Sequence, residues 1–271
     1  MVPTSDTFSE GETVALFLGV AFGLFPILRW GQSVFVHGTF GTAKWQRLPL
    51  FLVVPLGLAA LEFVLINFAD SAVRNNPAYH WLFLLLALGW LNAARYMSAF
   101  LGVSLSADVV ERNNPAAIAA LTGVFAAVMI GYGGGNIGNG ATISTTLVSA
   151  LLAFMGIFAA WFFLELAGKP SAAISEDRDL ASGIRLAGFL TAIGLIFGAA
   201  MSGDWVSMEE TVSDLWRRGW PTIVILAVSI VLENKLGPTR KAPHQPVLTH
   251  GILPLLFFIM LAAVGIFLAR S

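Results

Sequence analysis

Apolar residues fall into eight long runs along the chain, separated by short polar stretches. A helix needs about 20 predominantly apolar residues to cross the hydrocarbon core of a bilayer, because lipid offers no partner for a free backbone N–H or C=O group. The pattern predicts an all-α fold, a polytopic transmembrane helical bundle that forms a single transmembrane domain over residues 1–271. The runs cover residues 13–29, 48–68, 81–103, 115–137, 143–166, 180–201, 220–236 and 248–269.

Of the eight runs, only the seventh is an uncertain transmembrane helix. The seventh is short and carries Glu233 and Lys235 in its last turn, so a tilted or partly interfacial helix is an alternative there. Asp6, Glu10 and Glu12 precede the first run, where a cleaved signal peptide would carry positive charge. We therefore expect the first helix to remain in the mature chain.

The composition argues against a large soluble domain. Hydrophobic residues make up 57% of the chain and charged residues 11%, whereas about 25% of the residues in soluble domains are charged. The chain contains no cysteine, which excludes disulfides, thiol catalysis and cysteine metal sites.

The distribution of lysine and arginine predicts the orientation in the membrane. If the amino terminus lies outside, eleven of the 15 basic residues belong to the cytoplasmic side, as the positive-inside rule requires. Both termini are therefore predicted outside. The eleven are Arg29, Lys44, Arg47, Arg95, Arg112, Lys169, Arg178, Arg185, Lys235, Arg240 and Lys241, and the others are Arg74, Arg217, Arg218 and Arg270.

An internal repeat is predicted because residues 105–139 align on residues 170–204 without a gap. The repeat units are about 81–139 and 146–204, and the flanking helix pairs 13–68 and 220–269 are either diverged copies or later additions. Both units run in the same membrane direction, so the repeat is parallel. Each unit has a polar cytoplasmic stretch and a small-residue helix that ends in an outer turn. Identical pairs include Ser106 with Ser171, Glu111 with Glu176, Gly123 with Gly188, Ala127 with Ala192 and Gly138 with Gly203.

The two polar stretches also carry a family resemblance. Residues 111–123 read Glu-Arg-Asn-Asn-Pro-Ala-Ala-Ile-Ala-Ala-Leu-Thr-Gly, and residues 176–188 read Glu-Asp-Arg-Asp-Leu-Ala-Ser-Gly-Ile-Arg-Leu-Ala-Gly. With Gly-Asp-Trp at 203–205, this resembles the bacterial inner-membrane family catalogued as domain of unknown function 350. The resemblance covers roughly residues 81–205, and typical members are about half as long as this chain. It implies a location in the bacterial inner membrane and supplies no function.

Small residues recur at every fourth position of the fourth helix. Such a ridge lets another backbone approach closely, since van der Waals contact drives helix association in lipid. We expect the ridge to pack within the molecule, and a seam of a homo-oligomer is the alternative. With its weaker counterpart in the sixth helix, the ridge comprises Ala119, Gly123, Ala127, Gly131, Gly188 and Ala192.

A glycine-rich, uncharged segment closes the fourth helix on the predicted outer side. Glycine tolerates positive φ, so the backbone can fold back there. The pattern predicts a tight turn with helix C-caps, in which two asparagines form local hydrogen bonds. The candidate residues are Gly133, Gly134, Gly135, Asn136 and Asn139.

Four ionisable side chains lie well inside the predicted hydrocarbon region: Glu62, Arg95, Glu165 and Arg185. An ionised side chain there costs about 2.5 to 3.5 kcal/mol even on lenient insertion scales, so each should face protein or water. The last three fall at similar depth, which predicts an ion pair among them, with a hydrated vestibule or anion site as the alternative. Glu62 stands alone and is the candidate for proton or cation binding, although a neutral, hydrogen-bonded glutamic acid is a structural alternative.

Motifs typical of enzymes are lacking. The histidines His37, His80, His244 and His250 have no metal-ligand spacing, and neither a Gly-x-Ser-x-Gly motif nor a phosphate-binding glycine loop occurs. The basic residues form no patch of the kind that binds nucleic acid. We therefore predict no enzymatic activity, no cofactor, no metal and no nucleic acid.

Two hypotheses for the function remain, and both place the chain in a lipid bilayer. The first is a membrane subunit or scaffold that packs with itself or with partner proteins, which the close-packing ridge and the scarcity of membrane charge favour. The alternative is a channel or transporter for an ion or small solute, with a path near Glu62. The parallel repeat and the glycine-rich outer turn favour that alternative.

Overall fold

A computed structural model describes residues 8–35, 46–140, 143–239 and 242–270. This part of the chain is almost entirely helical. Three π-helical turns interrupt or precede the helices, at Gly19–Leu24, Leu105–Glu111 and Leu248–Ile252. The α-helices are α1 (Glu10–Leu18), α2 (Phe25–Phe35), α3 (Leu48–Asn67), α4 (Ser71–Arg74), α5 (Pro77–Phe100), α6 (Pro115–Gly134), α7 (Ile143–Gly168), α8 (Pro170–Ser175), α9 (Leu180–Ala200), α10 (Met208–Gly219), α11 (Pro221–Leu236) and α12 (Leu253–Arg270).

The all-α, multi-helix prediction is confirmed. Seven helices are long and apolar enough to cross a membrane, and one bent pair could form an eighth span. The bent pair is α10 with α11, which meet at 44°. Pro221 begins α11 and lacks the N–H that would continue the ladder of α10. Because α10 has acidic residues in its first turn and basic residues in its last, only α11 supplies the predicted apolar run.

The long helices form two rows. The front row is α3, α6, α9 and α12, in which each helix packs on the next, and the α6–α9 interface is the most extensive in the molecule. The back row is α1, α5, α7 and α11. Within the back row the π-turn after α1 packs on α5, and α7 packs on α11. Trp90 of α5 and Phe154 of α7 join its two halves, with ring centroids 5.2 Å apart. The deepest core therefore lies along α6 and α9.

The polar caps of the front row lie together at one end of the molecule, here called the asparagine end (residues 112–114 and 176–179). Asn114 precedes α6, and its side chain accepts hydrogen bonds from the backbone N–H groups of Ala116 and Ala117. Asp179 precedes α9 and accepts in the same way from Ser182. Asn and Asp are strong N-caps because they satisfy N–H groups that have no partner in the first helical turn.

Backbone features recur along the chain at the offset of the aligned segments. Asn113 and Arg178 both adopt positive φ, 48° and 56°, immediately before the two caps. Gly138 and Gly203 adopt φ of 107° and 134° after the two helices. Hydrogen bonds between neighbouring elements join residues 65 or 66 apart, not only between α6 and α9 but also across the flanking pairs. All front-row helices therefore run in the same direction.

Candidate functional site

The predicted ridge on α6 packs inside the molecule. Methyl groups added at Gly123 and Gly194 would overlap the backbone of Ala187 and of Ala127, respectively. Gly131 faces side chains of α7, Gly188 faces Leu255 of α12, and Ala192 is fully buried. Ala119 at the start of the ridge is half-buried. These contacts support the intramolecular interpretation, because every ridge residue except Ala119 is buried against a neighbouring helix.

The glycine-rich segments after α6 and α9 are hydrogen-bonded to each other. They lie at the end of the molecule opposite the caps, here called the glycine-turn end (residues 135–140 and 201–205). Asn139 donates to Asp204 Oδ1 from its backbone N, at 2.7 Å, and from its side chain, at 2.9 Å. Trp205 N donates to Asn139 O at 2.8 Å, and Gly203 N donates to Ile137 O at 2.9 Å. The sequence predicted a local role for both asparagines, but Asn139 bonds across to the second segment.

Asn136 fulfils the local prediction, since its Nδ2 donates to Tyr132 O at 2.8 Å. It also lines a polar pocket of about 230 Å³ at the glycine-turn end. Acidic side chains predominate around this pocket, and one arginine accompanies them. The ionisable lining residues are Glu12, Asp70, Tyr79, Asp204, Glu210, Asp214 and Arg218.

Most of the carboxylates around the polar pocket are already engaged. Glu12 accepts from Tyr79 Oη at 2.7 Å, Asp70 caps α4, and Asp214 pairs with Arg217 and Arg218. The side chains around the pocket therefore form a hydrogen-bonded layer over the helix ends. Within the described residues, no group of three or more histidine and acidic side chains could hold a metal ion.

Glu62 is not solitary, which corrects the sequence interpretation. His80 Nδ1, in the first turn of α5, lies 2.8 Å from Glu62 Oε1, and His80 Nε2 lies 3.1 Å from Val73 O. The pair joins the glycine-turn ends of α3 and α5 at the edge of the molecule. Glu62 lines neither the polar pocket nor the apolar groove described below. Sequence reasoning considered His80 only as a metal ligand and missed it as a partner for Glu62.

The predicted ion pair among Arg95, Glu165 and Arg185 is wrong. Glu165 accepts from the backbone N and the hydroxyl of Ser171, at the start of α8. The Arg95 guanidinium lies 4.6 Å from the centre of the Tyr96 ring. The three side chains lie at the same end of the molecule, as their similar depth predicts. They face different helix interfaces, however, and therefore do not meet.

Arg185 instead binds Glu233 of α11 in a fully buried fork. Nε and Nη2 of the arginine donate to the two carboxylate oxygens at 2.7 and 2.6 Å. Nη1 donates to His250 O at 2.6 Å, and Nη2 also donates to Ser182 Oγ at 3.1 Å. The arginine thus ties α9 to α11 and to the start of α12. Glu233 was noted in the sequence only as a reason to doubt the seventh span.

The hydrogen-bond network around this ion pair extends to the cap of α9. Asp179 accepts from Ser182 through Oδ2 and from Gln245 N through Oδ1. A buried ion pair repays its desolvation only when its geometry is good and its remaining donors are satisfied. Both conditions hold here, which identifies the cluster as a structural clamp at the asparagine end.

Fold and sites together define a multi-pass α-helical membrane protein, with a glycine-packed core and polar clusters at its two ends. Comparison with protein-family models, with curated proteins and with solved structures finds no match to the chain. The resemblance to domain of unknown function 350 therefore stays a prediction.

Proposed function

We propose that the chain is a membrane subunit of the bacterial inner membrane, without enzymatic activity, that packs against other transmembrane helices. The observation that carries the proposal is the α6–α9 interface. A methyl group at Gly134 or Gly183 would overlap backbone atoms of the facing helix, so the two central helices meet backbone to backbone. Such an interface leaves no room for a file of water or ions between α6 and α9.

An apolar groove on the front row supplies a surface for a partner. The groove has a volume of about 890 Å³ and follows α3 from Leu48 to Val64, with Ile266 of α12 on the far side. Its floor on α6 and α9 combines large side chains, such as Met129 and Leu195, with several small residues that let a helix backbone approach closely. At 1.5 Å per residue the α3 wall is roughly 24 Å long, close to the thickness of the hydrocarbon core. The floor includes Thr122, Ala126, Gly133, Gly198 and Ala199.

A straight helix of a partner protein fits this shape, and photo-crosslinking in membranes tests the assignment. A crosslinker at Leu56, in the groove, is expected to give a protein adduct of defined mass that disappears when Ala126→Trp fills the floor. The matched control is Leu166 on α7, which is 63% exposed against 64% for Leu56 but lies outside the groove. The proposal would be contradicted if both positions gave lipid adducts and no protein adduct. It would also be contradicted if the protein adduct at Leu56 survived Ala126→Trp in a folded variant.

Repetition of one hairpin unit is part of the same proposal. We infer that all four helix pairs are copies, because parallel contacts with similar offsets also join the flanking pairs to the central two. Glu111 and Glu176 are both exposed at the asparagine end, as a parallel repeat requires. In this arrangement each additional pair widens both rows and leaves α3 and α12 as the walls of the groove.

The orientation is proposed from the positive-inside rule, with the glycine-turn end and both termini outside. The chain has no cysteine, so single-cysteine variants need no background removal. In intact cells an impermeant maleimide is expected to label Asn75→Cys, exposed at the glycine-turn end, and to label Asp177→Cys only after lysis. The reverse pattern would place the termini inside.

A further inference from the structure

The surface of α10 (Met208–Gly219) divides into three faces of different chemistry. The first face packs on α9 and α12 and carries the buried and half-buried residues of the helix, among them Leu215 and Gly219. Asp214 and Arg218, on the same side, also line the polar pocket. The first face therefore holds α10 against the glycine-turn ends of α9 and α12.

An exposed apolar stripe forms the second face. Met208, Val212 and Trp216 follow one another at every fourth position, and Trp220 continues the spacing just after the helix. In a helix of 3.6 residues per turn such positions lie along one side. All four side chains are exposed, and Trp216 is the most exposed at 71%. Because apolar surface is stabilised by removal from water, the stripe favours an apolar surrounding.

The third face of α10 is polar. Glu209, Ser213 and Arg217 each follow a residue of the stripe by one position, and all three are exposed. The stripe thus lies between the face that packs on the bundle and the polar face. Helices that are divided in this way lie in the membrane interface, with charged side chains toward water and apolar side chains toward the acyl chains.

The position of α10 along the bundle agrees with a place in that interface. α11 extends roughly 24 Å from Pro221 at 1.5 Å per residue, which is most of the hydrocarbon thickness. Trp220 therefore lies near the boundary of the hydrocarbon, and α10 continues beyond it, 44° away from the axis of α11. Among the described residues the exposed tryptophans are Trp81, Trp216 and Trp220, all toward the glycine-turn end. Tryptophan is enriched where a membrane meets water.

We propose that the stripe of α10 inserts into the lipid interface of the leaflet at the glycine-turn end. The apolar surface continues onto α11, where Ile223 and Val224 are exposed, so the stripe adjoins the lipid-facing surface of a span. A second copy of the chain suits the stripe less well. A stable protein interface involves about 20 to 30 residues a side, whereas the stripe offers four side chains in single file. The proposal depends neither on the groove nor on the proposed subunit function.

Fluorophore labelling of single-cysteine variants of the full-length protein in proteoliposomes tests the proposal, since the chain has no cysteine of its own. Val212→Cys lies on the stripe, and Ser213→Cys, on the polar face, is the matched control. An NBD label at position 212 is expected to emit at shorter wavelength and to be quenched by lipids that carry a doxyl group near the headgroup. Aqueous iodide should quench the label at position 213 several-fold more strongly than the label at 212.

A second pair, Trp216→Cys and Arg217→Cys, repeats the comparison one turn later and keeps the test decisive if the first pair folds poorly. Equal quenching by iodide within a folded pair, without quenching by doxyl lipid, would place the stripe in water and would overturn the proposal. Protection from iodide without quenching by doxyl lipid would mean that protein covers the stripe. If that protection disappeared when the protein was diluted in lipid, the cover would be a second copy; either result would overturn the lipid assignment.

Discussion

Replacing Arg185 by methionine is expected to destabilise the folded protein by about 3 to 5 kcal/mol, the cost of leaving a buried charge without its partner. Glu233 would keep its carboxylate in a site that is only 2% exposed, having lost both forked hydrogen bonds. The carbonyl of His250 and the Ser182 hydroxyl would lose a donor as well. Equilibrium unfolding in mixed micelles, followed by circular dichroism, measures the difference.

Two comparisons separate this effect from loss of packing. The double variant Arg185→Met/Glu233→Leu removes both charges and should recover most of the stability, because apolar pairs of similar volume often replace buried ion pairs without loss. Arg217→Met breaks the exposed pair with Asp214 and should cost at most about 1 kcal/mol. A double variant as unstable as Arg185→Met would mean that the charges are not what destabilises it.

Gly134→Ala should be the most damaging single-methyl substitution in the core. The added Cβ would overlap backbone atoms of Gly198, which cannot move aside as a flexible side chain could. The two central helices would have to separate by roughly 1 Å to restore ordinary contact distances. We expect a loss of about 3 kcal/mol, at the upper end of overpacking effects, measured by the same unfolding assay.

The neighbouring glycine provides the control. A Cβ added at Gly133 meets nothing within 4 Å, since that position faces the apolar groove. Gly133→Ala should therefore be neutral or should stabilise the helix by up to about 1 kcal/mol, because alanine restricts the unfolded chain more than glycine does. Equal effects of the two substitutions would show that α6 and α9 are not in backbone contact at this level.

The sequence was sufficient to predict the helices because lipid forces each span to satisfy its own backbone. It could not predict the bend between α10 and α11. The apolar run begins at the Trp220–Pro221 pair, but nothing in that run shows that a second, charged helix precedes it. The close packing of the ridge around Gly123 could also be predicted, because small residues at helical spacing allow two helices to approach closely.

Partners of charged side chains could not be predicted in the same way. Depth along a helix follows from counting residues, but rotation about the helix axis decides which neighbour a side chain meets. Glu165 and Arg185 share a depth, yet Glu165 turns toward Ser171 and Arg185 turns toward Glu233. Glu62 of α3 pairs with His80 of α5, a residue whose spacing in the sequence suggested no partner.

Flux measured in proteoliposomes tests most directly whether this is a dry, non-transporting bundle. Purified protein, reconstituted under separate gradients of protons, sodium, potassium and chloride, is expected to show no more flux than protein-free liposomes. The Glu62→Gln variant, which keeps an acceptor for His80 and loses only the titratable charge, should behave identically. Saturable, protein-dependent flux that Glu62→Gln abolishes while the protein stays folded would contradict the account and establish transport past Glu62.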